Sequence, residues 1–238
     1  MKCVIMQPTY LPWSGYFNLI SNADVFIFLD DVQYEKSSWQ NRNRILLDGK
    51  PHWITASALK GSLSQLICQT KTEDKHNWRK KNYKLLESTY RKHPYGKDML
   101  EKVDLILDES LNYLAELNIS LIMRFCEKLN IKTSFYKSSE LNVTGQRSDR
   151  LLKFCQHFGC DEYLSPIGSA EYLKEDGVFD NAPVKLSFQE YTPRFYEQKG
   201  ATEFVSHLSI VDVVANLGWE QATEYVRHGQ VESGQIVI

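Results

Sequence analysis

Two adjacent carboxylates, Asp30 and Asp31, close the apolar run from Asp24 to Leu29, and Gln33, Gln40, Asn41, Arg42, Asn43 and Arg44 follow them. Acidic side chains at a strand end stand where ligands approach the sheet of an α/β protein. There they can take a proton from an attacking group. The plainer alternative is a solvated Asp-Asp turn, since Asp favours turns. Arg42 and Arg44 are two apart, so on an extended segment both point to one face. Their planar forks suit a diphosphate or carboxylate, although charges of this kind also protect an edge strand. Gln7, after the first apolar run, and Tyr10, in the turn beyond it, are placed to meet the same ligand or to serve the turn itself.

Two further clusters carry possible chemistry. In Gly145-Gln146-Arg147-Ser148-Asp149-Arg150, two arginines stand at a helix start whose amides suit an anion, while Ser148 also reads as an ordinary cap. Ser165-Pro166-Ile167-Gly168-Ser169 is a strand end, a turn and a helix start, a place for a phosphate or a sugar hydroxyl. Among six histidines, His207 before a helix and His52 at a strand start are placed as general bases, because imidazole titrates near neutrality. No HExxH or similar spacing occurs, so no metal is expected. The five cysteines at 3, 68, 126, 155 and 160 lack zinc spacing and read as core thiols at 3, 126 and 155, with Cys160 as a remote nucleophile candidate. No cofactor is expected.

The elements that must position these residues read as follows. Apolar runs predict strands over Lys2 to Met6, Asp24 to Leu29, Arg44 to Leu47 and His52 to Ser57, with Asp48-Gly49 turning a hairpin between the last two. A short helix fits Tyr16 to Ser21. Three helical stripes follow: Trp78 to Tyr90, Met99 to Leu107, and Leu111 to Leu129. Then come a strand over Lys132 to Ser138, a helix over Ser148 to Phe158, and a short strand over Glu162 to Ser165. A brief helix capped by Ser169 and a strand over Val184 to Tyr191 follow. Ser209 with Asp212 resembles a capping box opening a helix that Gly218 ends, and a last helix runs from Trp219 to His228. The alternation predicts a Rossmann-like α/β layered domain over residues 1–230, with a helical insertion at about 75–130 and a mobile tail at 231–238.

At 238 residues, 42% hydrophobic and 24% charged, with a net charge of −2, the composition is that of an ordinary globular protein. No global basic field exists to draw in nucleic acid. No apolar run approaches the roughly 18 residues of a membrane span, and the N-terminal apolar stretch is too short for a signal peptide. A cytoplasmic location is the expectation.

The segments QPTYLPWSGYFNLI, ADVFIFLDDVQY and WQNRNRI resemble the N-terminal signature of the WbqC-like family. The stretch from Trp78 to Tyr95, EYLSPIGSAEYL from Glu162 and HLSIVDVVANLG from His207 agree in order, so the resemblance covers nearly the whole chain. Family members tend to carry His where this chain has Asn82. The resemblance implies a role in surface-polysaccharide assembly, of the O-antigen kind. Its most concrete form is amide formation, in which an acyl or aminoacyl group passes from a thioester, on coenzyme A or a carrier protein, to the amine of a nucleotide-linked sugar. Asp30, Asp31 or His207 would act as base, and the 41–44 segment would hold the diphosphate or the oxyanion. A non-catalytic nucleotide-sugar-binding or scaffold protein is the alternative. Nucleotidylyl transfer is disfavoured, because Trp13 and Tyr16 stand where such enzymes carry the two histidines of His-x-Gly-His.

Overall fold

The structure is a computed structural model, which describes residues 1–59, 61–73 and 75–229. The expectation for 231–238 lies outside the described residues. Seven strands form: β1 (Lys2–Met6), β2 (Val25–Phe28), β3 (Arg42–Leu47), β4 (Lys50–Thr55), β5 (Ser134–Lys137), β6 (Glu162–Ser165) and β7 (Lys185–Phe188). The helices are α1 (Ser14–Ser21), α2 (Trp78–Tyr90), α3 (Gly96–Val103), α4 (Leu114–Lys128), α5 (Arg147–His157), α6 (Ala170–Asp176) and α7 (Ile210–His228).

Five strands pair in parallel in the order β5-β2-β1-β6-β7. Every residue of β2, Val-Phe-Ile-Phe, is buried, as a strand covered on both faces requires. Period-two alternation divides the core. Val4, Phe26 and Phe28 join one cluster with Phe17 of α1, Leu86 of α2, Leu121 of α4 and Val214 of α7. Cys3, Ile5, Val25 and Ile27 join another with Phe154 of α5 and Leu173 of α6. The result is an α/β layered fold. Within the sheet the chain moves outward from β1 through β2 to β5, then returns to the other side of β1 through β6 and β7. The reversal leaves a switch point between β1 and β6.

The hairpin β3-β4 stands apart as an antiparallel pair, joined through Asp48 and Gly49, both with positive φ (50° and 72°), as a two-residue turn demands. Each strand begins two residues earlier than predicted. Between β4 and β5 lie α2, α3 and α4; the second stripe ends as α3 at Val103 and continues as a 3-10 turn, and α4 begins only at Leu114. Gly218 breaks α7 where the sequence placed a helix end: its φ of 74° and ψ of 177° suit only glycine, and a Cβ there would meet the Tyr95 ring at 2.9 Å.

The expected capping box at α7 is incomplete. Ser209 Oγ accepts weakly from the Val211 amide at 3.4 Å, but Asp212 does not reach back. It is fully buried and accepts from Tyr90 Oη (3.0 Å), Tyr196 Oη (2.6 Å), Gln198 Nε2 (3.2 Å) and Asn216 Nδ2 (3.4 Å). Burial raises its pKa, and these donors offset part of that rise. All five cysteines are free; Cys160 is buried beside Cys3 and Cys155, among core residues and out of a nucleophile's reach of solvent.

Candidate functional site

The two carboxylates sit at the C-terminal end of β2, as the strand reading requires, yet both are clasped. Asp30 is 2% exposed; its Oδ1 accepts from the Ser139 amide (2.9 Å) and its Oδ2 from Ser139 Oγ (2.7 Å). Asp31 receives both terminal nitrogens of Arg150 (3.0 and 2.5 Å) and Ser138 Oγ (2.5 Å). Burial pushes the Asp31 pKa up, but the hydrogen bonds and charge of Arg150, with Ser138, outweigh it and hold the carboxyl below its ordinary value. A carboxylate held in this way is a weak proton acceptor. The clasp ties β2 to the end of β5 and to α5.

The amides of the polar loop form an internal brace, which corrects the expectation that they line one pocket with the aspartates. Gln40 Nε2 donates to Gln7 Oε1 (2.9 Å), and its Oε1 accepts the Glu35 amide (2.8 Å). Asn118 of α4 donates to Pro8 O (3.1 Å) and Gln40 O (2.7 Å). Asn43 donates to Tyr10 O (3.3 Å) and Asn41 to Ala56 O (3.1 Å). The buried Asn82 donates to Tyr10 Oη (3.1 Å) and Thr55 O (2.9 Å). Gln33 turns away to Leu63 O (2.7 Å). Gln7, Tyr10, Asn41 and Asn43 therefore hold the β3-β4 hairpin over the C-terminal end of β1.

What that brace presents is the other face of β3. Asn43 and Ile45 are buried, while Arg42 and Arg44 share the partly exposed face, as their spacing requires. The Arg42 guanidinium lies 4.2 Å over the ring of Trp53, which meets Trp39 at 5.4 Å; these two indoles are 42% and 50% exposed. The Nε atoms of Arg42 and Arg44 are buried without a hydrogen-bond partner, and among the described residues neither guanidinium faces a carboxylate within ion-pair distance. Next to them the chain folds back: the Ser209 amide donates to Arg44 O (2.8 Å), and His207 stacks on Trp13 with centroids 4.7 Å apart. Burial, and then the charge of Arg44, lowers the His207 pKa, so its imidazole is neutral at neutral pH. Nδ1 of His207 lies 2.8 Å from Ser206 Oγ. A cationic pair, stacking surfaces and a neutral imidazole thus stand close together.

A family model described as the WbqC-like protein family matches residues 7–224. The chain belongs to the WbqC-like protein family. It is 33% identical over 230 residues to a protein of Mycobacterium tuberculosis named "Uncharacterized protein Rv1507c", covering 95% of this chain and 98% of that one. No solved structure matches. In this WbqC-like chain the match takes in the clasp, the brace and the β3 face together.

The remaining candidates stand elsewhere. Arg147 pairs with Asp176 at 2.9 Å, and Ser148 Oγ donates to the same carboxylate (2.5 Å), so the 145–150 cluster spends its arginines on Asp176 and Asp31. Ser165 is fully buried at the end of β6, and His52 lies exposed on β4. No contact among the described residues joins Arg147 or Ser165 to the β3 face. Sequence reasoning missed Trp53, whose cross-strand pairing with Arg44 follows from the hairpin register. Among the described residues no group of three or more His, Cys, Asp or Glu could hold a metal ion, and no helix is long and apolar enough to cross a membrane.

Proposed function

We propose that this chain is a cytoplasmic transferase of surface-polysaccharide sugar synthesis, which moves an acyl or aminoacyl group from a thioester to the amine of a nucleotide-linked sugar. The observation that carries this reading is the pair Arg42 and Arg44, half-buried without carboxylate partners beside Trp53, Trp39 and His207. The terminal nitrogens of these guanidiniums, which no carboxylate engages, are the donors a diphosphate would meet in bidentate fashion. The indoles offer stacking surface to a base. His207 takes the proton from the attacking amine as nitrogen bonds to the thioester carbonyl. The C–S bond then breaks, and the proton passes to the departing thiolate. A guanidinium N–H is available to the transient oxyanion. No covalent enzyme intermediate is required.

Because Asp30 and Asp31 are both engaged in the clasp, a second reading has support: binding of the nucleotide sugar without chemistry. Both readings share the β3 face. Calorimetry with UDP-glucosamine tests that face directly. Arg42→Lys and Arg44→Lys should each weaken binding about ten- to a hundredfold, since a point charge cannot replace the fork. The melting temperature should hold. Unchanged affinity in both variants removes the proposal. Mass spectrometry of UDP-glucosamine with acetyl-coenzyme A then separates a transferase, which yields an amide, from a binding protein, which does not.

A further inference from the structure

A cavity of about 500 Å³ opens at the C-terminal ends of β2 and β5, away from the β3 face. Its walls differ in chemistry. Leu111 and, on one side of α4, Ala115 and Ile119 form an apolar wall. Asp30 and Glu116 bring carboxylates, Lys137 an ammonium, and Ser120 and Ser139 hydroxyls. Asp30 Oδ2 has one donor, Ser139 Oγ, and therefore keeps room for a second. Glu116 forms no ion pair or hydrogen bond among the described residues. Lys137 is fixed at the rim by Glu140 at 2.5 Å. Positive charge is thus favoured between Asp30 and Glu116, negative charge near Lys137, and a branched hydrocarbon against Leu111 and Ile119.

We infer that this cavity binds a small zwitterionic α-amino acid with an aliphatic side chain. The ammonium sits between Asp30 and Glu116. The carboxylate meets Lys137 and the Ser120 hydroxyl, since the Ser139 hydroxyl proton is already given to Asp30, and the side chain lies on the α4 wall. The position, at strand ends of a parallel sheet, is one where ligands bind in α/β folds, and the volume falls in the range of small-molecule sites. The clasp on Asp30 gains a purpose here: Ser139 pre-orients the carboxylate toward the cavity. This inference does not depend on the β3 face being a nucleotide-sugar site.

Cys68 lines the same cavity and supplies a local reporter, because the other four cysteines are buried. Full-length protein is treated with N-ethylmaleimide at alkaline pH, with and without millimolar L-leucine, and Cys68 labelling is followed by mass spectrometry. L-Leucine should slow labelling in a saturable manner. Leucinol, which lacks the carboxylate, and 4-methylpentanoate, which lacks the amine, should each protect about tenfold less well. Glu116→Gln should weaken protection by leucine and leucinol alike, whereas Lys137→Met should weaken leucine and leave leucinol unchanged. Both substitutions are at exposed or half-exposed positions, so folding should survive them. The inference is overturned if saturating leucine fails to protect Cys68. It is equally overturned if leucinol matches leucine with Lys137→Met silent, which would describe a plain amine site.

Discussion

At the scale of single residues, His207 is the side chain whose chemistry the fold alters most usefully. Burial disfavours its imidazolium, and the Arg44 charge disfavours it further, so its pKa lies below the ordinary value of about 6.5. Removing the cation should reverse the second effect. In Arg44→Gln the His207 midpoint should move upward, read from the pH titration of its Cε1 proton by NMR. If His207 is the base, the acidic limb of the rate profile should move upward with it. A midpoint that stays put would separate Arg44 from His207. Little of this was legible in the sequence. Arg44 and His207 are 163 positions apart, and the contact is made by a backbone bond from Ser209. Asp31 has the same lesson in the opposite sense. As an acid beside a turn it reads as a base, but Arg150, 119 positions away, holds it ionised and occupied.

At the scale of elements, local chemistry dictated most of what formed. β2 was readable because Val-Phe-Ile-Phe is apolar on both faces, and the hairpin because Asp48-Gly49 tolerates positive φ. The boundaries of β3 and β4 were not, since Arg42, Asn43 and Lys50 are not strand-like residues and tertiary pairing recruits them. Asp212 shows where local logic stops: its place three residues after Ser209 fits a cap, yet three hydroxyl and amide donors from elsewhere in the chain capture it. Gly218 was readable as a helix end, and the structure adds why. Gly218→Ala should cost about 2 kcal/mol or more, from a glycine-only backbone region and contact with Tyr95. Urea denaturation should show a lower midpoint with an unchanged slope. A midpoint equal to the parent would mean that α7 passes Gly218 without the break.

At the scale of the whole molecule, contacts between residues far apart in sequence hold three segments in place around the sheet. The brace from Asn118 and Gln40 fixes the hairpin, the clasp from Arg150 and Ser139 fixes the β2 end, and Asp212 fixes the chain between β7 and α7. Asp212→Ala leaves the Tyr90 and Tyr196 hydroxyls without their acceptor, while Gln198 keeps Val205 O at 2.9 Å. The expected loss is about 3 kcal/mol, or about 6–12 °C in melting temperature for a chain of this size. A shift under 2 °C would show that water or a rearranged tyrosine takes over as acceptor.

Residues 189–209 contain neither helix nor strand, and Phe195 within them is 70% exposed. That stretch is kept in place at Tyr196 and Gln198 by Asp212 and at Lys199 by the Asn216 side chain. A protease needs several residues of slack on either side of its target bond, and here Arg194 on one side and Tyr196 on the other are both anchored. Chymotrypsin should therefore spare Phe195 in the parent protein despite its visibility. With Asp212 gone, its anchors after Phe195 go while those at Arg194 stay, so chymotrypsin should cut at Phe195 faster than in the parent, and a nick there would leave α7 joined to the sheet by packing alone.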